Sequence, residues 1–197
     1  MRRIPILVLT ASLCLVMASR LGAGAQEASL AATPPGCPAT TPEQNEDLVR
    51  RYWEVVYNEK RPERAADFLA EDFVRRNTVR PQDNAPGTDD DVARARENLT
   101  DFPDLHITIE DVVAAEDEVV VRLTWSGTQD DDMEAWGAPA TGRRASYDLV
   151  AIYRIACGRL AEQWVVADYL TMLRQLGIVT DEELATAATP TVATPVP

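Results

Sequence analysis

Histidine is almost missing from this chain: His106 is the only one among 197 residues. A single histidine at the start of a strand-like segment, with no nucleophile context, leaves no readable serine–histidine–acid arrangement. Cysteine is scarce as well, with three in the chain, and neither zinc-ligand spacing nor a calcium loop can be read from the sequence. No metal is therefore expected. There is no phosphate-cradling glycine motif and no internal repeat. Beyond the apolar run near the N-terminus, no segment approaches the roughly 20 residues that a bilayer-spanning helix needs. Positive charge is also short. Lys and Arg number 19 against 32 Asp and Glu, a formal net charge of −13. That balance argues against nucleic acid and against anionic membrane surfaces as partners.

What is present begins with an export signal. Arg2 and Arg3 precede an apolar run from Ile4 to Met17, and Ala23-Gly24-Ala25 follows as a small-residue cleavage pattern. Residues 1–25 read as a secretory signal peptide. The expected product is an exported protein, extracellular or periplasmic, with no membrane association once the signal is gone. Removal of Arg2, Arg3 and Arg20 would make it more acidic still. Two cysteines survive cleavage, Cys37 and Cys157. In an oxidising compartment such a pair reads as a disulfide, closing a turn at one end and an unstructured arm at the other. Residues 26–40 read as a flexible linker, 41–180 as the folded domain, and the Thr/Pro/Ala-rich residues 181–197 as a disordered tail.

Within the domain, Thr41, Pro42 and Gln44 spell a capped helix start. Leu48, Tyr52, Val55 and Val56 then share one helical face, widened by Val49, Trp53 and Tyr57. A second short helix is expected from about Pro62 to Leu69, and Glu71 to Val74 as a short strand or turn. Thr88 is expected to cap a third helix through Leu99, with Asp89, Asp90 and Asp91 in its first turn, where negative charge suits the dipole. From Leu105 the hydrophobic period changes to two. Four strands follow, the last running from Leu160 to Tyr169 after a turn at Cys157-Gly158. Helices followed by a meander predict an α+β layer fold, with a curved antiparallel sheet wrapped on about three N-terminal helices as a cone around a pocket.

Several segments resemble the SnoaL-like polyketide cyclases, also called ester cyclases, of the nuclear-transport-factor-2-like superfamily. They are FPDLHITIEDVV (Phe102 to Val113), VVVRLTWSGT (Val119 to Thr128), PATGRR (Pro139 to Arg144), AIYRI (Ala151 to Ile155), GRLAEQWVVADYL (Gly158 to Leu170) and LRQLGI (Leu173 to Ile178). The resemblance implies a cone-shaped fold, commonly a homodimer through the outer face of its sheet. It also implies an acid/base aspartate near the end of the last strand that closes a ring without a cofactor, and Asp168 fits that position. Where many relatives carry a histidine after the second helix, this chain reads Phe73-Val74-Arg75-Arg76-Asn77.

On a regular strand Trp164 and Asp168 share a face, an indole beside a carboxylate. Asp168 is thus the candidate catalytic group. Trp53, Tyr57, Trp125, Tyr147 and Trp164 are the candidate ligand-binding residues, with the rings stacking on a flat ligand and the hydroxyls reaching a carbonyl. Arg154 is expected to neutralise Glu162 or a neighbouring carboxylate. Two functions fit these residues. One is an exported, cofactor-free cyclase or isomerase acting on a small carbonyl compound or ester. The other is a non-catalytic binding or scaffold domain that holds a small hydrophobic molecule. A pocket of at least about 300 Å³ would favour ligand handling, and a filled interior a scaffold.

Overall fold

The first helix starts where the sequence places its cap. In the computed structural model, which describes residues 36, 37, 39–77, 80, 84 and 86–188, Gln44 N–H donates to the Thr41 hydroxyl at 3.3 Å. Thr41 N–H donates to the Gln44 side chain at 2.9 Å. The signal-peptide reading, most of the linker and the last nine residues of the tail fall outside the described residues. Helix α1 (Pro42–Trp53) runs directly into one π-helical turn, Glu54–Asn58. Asn58 then pairs with the backbone of Ile107, donating to its carbonyl at 3.0 Å and accepting from its N–H at 2.8 Å. These bonds satisfy backbone groups at the sheet edge and anchor the helix end there.

A 3-10 turn, Pro62–Asp67, buries Ala65 and leads into β1 (Leu69–Asn77). Helix α2 (Thr88–Asp101) follows. The strands β2 (His106–Ala115), β3 (Glu118–Thr128), β4 (Arg144–Ala156) and β5 (Arg159–Ala167) form an antiparallel meander. Two short helices follow the sheet, α3 (Tyr169–Leu176) and α4 (Asp181–Ala188).

The expected cone is corrected here. The sheet is open, ordered β1-β5-β4-β3-β2, and is neither closed nor strongly curled. It is also not wholly antiparallel, because β1 lies parallel to β5. The segment expected as a short strand or turn is thus a nine-residue edge strand. Not all helices precede the sheet, since α3 and α4 follow it. Helix α4 occupies the start of the segment that composition assigns to the tail. Thr88 does not cap α2. Gly87 does, at φ +103°, while the Thr88 hydroxyl donates to Ala70 O at 3.0 Å.

The alternation along β3 and β4 puts one sheet face against the helices. Val119, Val121 and Leu123 are fully buried there, as are Ala151 and Tyr153 of β4. Burying each Val or Leu stabilises the fold by about 1.5–3 kcal/mol. The opposite face presents Val120, Ile152 and Trp164 in register across β3, β4 and β5, with Val150 and Val166 beside them. Arg154 and Glu162 pair on this face at 2.7 Å, as their sequence positions suggest.

The β4–β5 turn needs positive φ at both central residues, and Cys157 and Gly158 adopt +55° and +69°. Cys157 is bonded to Cys37 across 120 residues of chain, with alpha carbons 4.9 Å apart. The expected disulfide is present. Gly127 serves a different end. A Cβ there would stand 3.1 Å from that of Phe102, so its bareness lets the α2–β2 link lie directly on β3. That contact carries Phe102 to the site described next.

Candidate functional site

A cavity of about 100 Å³ opens between the helices and the inner sheet face. Its aromatic wall is built from three elements. Trp53 ends α1 and Tyr57 lies one turn on, in the π-helical segment, with ring centroids 5.0 Å apart. The π turn alters the helical phase, and such turns often occur at sites. Trp125 of β3 pairs with Tyr147 of β4, and their rings lie 5.0 Å apart. Phe102 meets Trp125 edge-on at 4.4 Å. At the mouth, Trp136 takes the Arg80 guanidinium over its face at 3.9 Å and packs against Tyr169 at 5.1 Å.

The polar wall comes from β1 and α2. Asp91, Arg94, Asn98 and Asp101 recur at helical spacing, so they share one face of α2. Arg94, Asn98 and Asp101 line the cavity together with Arg75 of β1. Asp91 lies behind them, almost fully buried. It accepts a hydrogen bond from the Tyr52 hydroxyl at 2.7 Å. It also faces two guanidiniums, with Arg94 Nε at 3.8 Å and Arg75 Nη1 at 4.0 Å.

This arrangement moves several proton affinities. Burial and then Asp91 hold the Tyr52 hydroxyl well above its ordinary value. Burial and then Asp91 push Tyr57 up to about 12, against a smaller opposing pull from Arg75 and Arg94. Burial, with the neighbouring Tyr169 hydroxyl, raises Tyr147 well above 10.0. All three are therefore neutral hydroxyls near pH 7. Burial alone would lower Arg75, but Asp91 and the nearby tyrosines together outweigh it and Arg75 is raised. Asp101 moves in the direction that matters for chemistry. Burial first, then Glu97, Asp131 and Glu134, raise its carboxyl from 3.8 to about 6. A carboxyl group so tuned, in a cleft, is a candidate acid/base.

Four of the sequence-selected residues, Trp53, Tyr57, Trp125 and Tyr147, meet at this cavity. Two do not. Trp164 is on the opposite sheet face, because the cavity-lining residues of β5 are Val165 and Ala167 and its phase is the other one. There it stacks with Arg76 at 5.9 Å. Asp168 is corrected as well. Strand β5 ends at Ala167, and Asp168 is the exposed N-cap of α3. It accepts from the Thr171 hydroxyl at 2.6 Å and the Thr171 N–H at 3.0 Å, and both bonds lower its proton affinity. Its two oxygens are committed to a cap, as Ser, Thr, Asp and Asn often are at helix starts.

Sequence reasoning missed Arg75, Arg94 and Asp101. The signal was there, as the spacing of Asp91, Arg94, Asn98 and Asp101. It reads as an ordinary solvated helix face until the fold turns that face inward. Among the described residues no group of three or more His, Cys, Asp and Glu is placed to hold a metal ion. No helix among them is long and apolar enough to cross a membrane.

Comparison with known proteins agrees with the architecture. A family model described as SnoaL-like polyketide cyclase matches residues 46–176. Among solved structures, TsrD from Streptomyces laurentii is 29% identical, covering 71% of this chain and 99% of its own, with a TM-score of 0.63. IdmH from Streptomyces antibioticus is 28% identical over 68% of this chain and 99% of its own, with a TM-score of 0.58. A SnoaL-like polyketide cyclase from Agrobacterium tumefaciens, 20% identical over 68% and 98% of the two chains with a TM-score of 0.54, shares the fold. Among curated proteins, none matches.

Proposed function

The chain belongs to the SnoaL-like polyketide cyclase family, and from that premise we propose that it is an exported cyclase or isomerase for a small carbonyl compound, with Asp101 as its acid/base. The observation that carries this reading is a carboxyl group of pKa about 6 on the wall of an aromatic cavity. At pH 7 Asp101 is mostly ionised. It takes a proton from the carbon next to a carbonyl, and the electrons of that C–H bond move onto the carbonyl oxygen as an enolate. Hydrogen-bond donors lining the same cavity, the Tyr57 hydroxyl and the Arg75 and Arg94 guanidiniums, are suited to hold that oxyanion. In an isomerase the proton returns at another position. In a cyclase the enolate carbon attacks a second carbonyl of the same molecule, and the protonated Asp101 neutralises the new alkoxide. Each step needs only side chains of this protein.

The cavity limits what enters. Its volume is smaller than that of a dry engineered cavity of about 150 Å³ that takes benzene. The substrate is therefore a compound of a few carbons, or the tip of a larger one reaching in from the mouth. At about 100 Å³ the cavity falls below the roughly 300 Å³ that favours ligand handling, and this favours the second reading, a non-catalytic binding or scaffold domain. Deuterium uptake separates the two. In D₂O, small ketones and keto esters should exchange the hydrogens next to their carbonyl faster with the protein than in buffer alone. The rate should rise with pH through about 6 as Asp101 ionises. Saturable binding without any exchange would leave the binding domain as the function.

A further inference from the structure

The two guanidiniums of the polar wall have a single carboxylate within ion-pair distance, although Glu97 and Asp101 also line the cavity. Arg75 and Arg94 share one carboxylate, Asp91, at 4.0 and 3.8 Å, and Asp91 also serves the Tyr52 hydroxyl. Among the described residues no other carboxylate comes within 4.0 Å of either guanidinium. Both are mostly withdrawn from solvent, with side chains 11% and 16% exposed. A buried cation is costly unless an anion meets it. The hydrogen bonds give the same picture. Arg75 Nε, Arg94 Nε and the indole N–H of Trp53 are buried donors that make no hydrogen bond among the described residues, and Asp91 Oδ1, which faces both guanidiniums at 3.8–4.0 Å, makes none either. All three donor residues line the one cavity. This stands in a chain of net charge −13, where a cluster of cations inside a pocket is not a by-product of composition.

We propose that Arg75, Arg94 and Trp53 form a subsite for a carboxylate, so that the pocket takes a small organic acid. A planar two-oxygen anion matches the donor fork of a guanidinium. The apolar remainder of the ligand then lies against Trp125 and Tyr147. The inference narrows the substrate class of the reading above and rests on the same pocket. It is a statement about binding, and it holds or fails whether or not the protein turns anything over.

The test compares isosteres of the same size by calorimetry: isobutyrate against isobutyramide, each with chloride and inorganic phosphate as competitors at fixed ionic strength. The carboxylate should bind the wild-type protein at least about tenfold more tightly than the amide, the margin expected of a charge-assisted pair. Arg75→Gln and Arg94→Gln should each remove most of that preference, and Arg76→Gln, on the opposite face, should leave it intact. The wild-type comparison requires no variant to fold. Equal affinity for amide and carboxylate would overturn the proposal and assign the three donors to water. Chloride or phosphate binding as tightly as isobutyrate would overturn it too, by making the site a hole for simple anions. Loss of deuterium uptake with the carboxylate preference intact would sink the acid/base reading and leave this one standing.

Discussion

Replacing Asp101 with asparagine should make the protein more stable at neutral pH and no longer active. The stabilisation follows from the site. The Asp101 carboxyl group has a pKa of about 6 in the folded chain, against 3.8 for an ordinary aspartate. The folded state therefore holds the proton more tightly than the unfolded state does. By linkage, stability falls as pH rises from about 4 to about 6, and the full penalty is present above that range. The interval is worth about 3 kcal/mol. Water at the cavity mouth screens part of it, and halving gives about 1.5 kcal/mol. An asparagine side chain has the same shape without the charge, so the substitution recovers that amount. For a domain of this size the expected rise in melting temperature at pH 7.5 is about 3–6 °C. At pH 4.5 the wild-type Asp101 is already protonated in the folded state, and the gain should shrink to about a third. Urea unfolding of both proteins at the two pH values measures this. A variant less stable than wild type at pH 7.5, or a gain of equal size at both, would mean that the Asp101 carboxylate carries no such penalty.

Three further outcomes follow from the structure. Cys157→Ser should lower stability by up to about 4–5 kcal/mol, the loop-closure figure for a bridge across some hundred residues, and unfolding with and without reductant should show the difference in wild type alone. Tyr52→Phe should cost about 1–3 kcal/mol, because it removes the 2.7 Å hydrogen bond to buried Asp91 and puts nothing in its place, as denaturant titration would show. Trp125→Phe should lower the fluorescence response to a bound small acid, to which Trp53 in the same cavity also contributes, while Trp164→Phe should leave that response in place. An unchanged response in Trp125→Phe would mean that the ligand sits elsewhere.

How much of this was legible in the sequence depends on the kind of signal. The capping box at Thr41 and the alternation of β3 and β4 are local, and they fold as read. The disulfide was legible because two thiols behind an export-like leader have few other uses. The sheet's shape was not, because closure and curl depend on how edge strands pair, and β1 pairs parallel with a strand some ninety residues away. Its run Glu71-Asp72-Phe73-Val74 has little alternation to mark it. The last strand misled for a related reason. Trp164-Val165-Val166-Ala167 is apolar on both faces, so its period cannot say which face is inside. Asp168 then reads as a strand residue, although Thr171 three positions on is the partner of a helix cap. The polar wall was hidden in the acidic first turn of α2. Asp89 and Asp90 are the exposed, dipole-favouring residues expected there, and Asp91 beside them points inward.

Asp101 is the centre of the proposed chemistry, and a paired comparison isolates it: deuterium uptake next to the carbonyl, measured for Asp101→Asn and Asp168→Asn beside wild type. Asp101→Asn should lose at least about a hundredfold, as removal of a general base does. Asp168→Asn should keep nearly the wild-type rate, since asparagine caps a helix about as well as aspartate. Loss of exchange in Asp168→Asn with full activity in Asp101→Asn would contradict the acid/base role of Asp101.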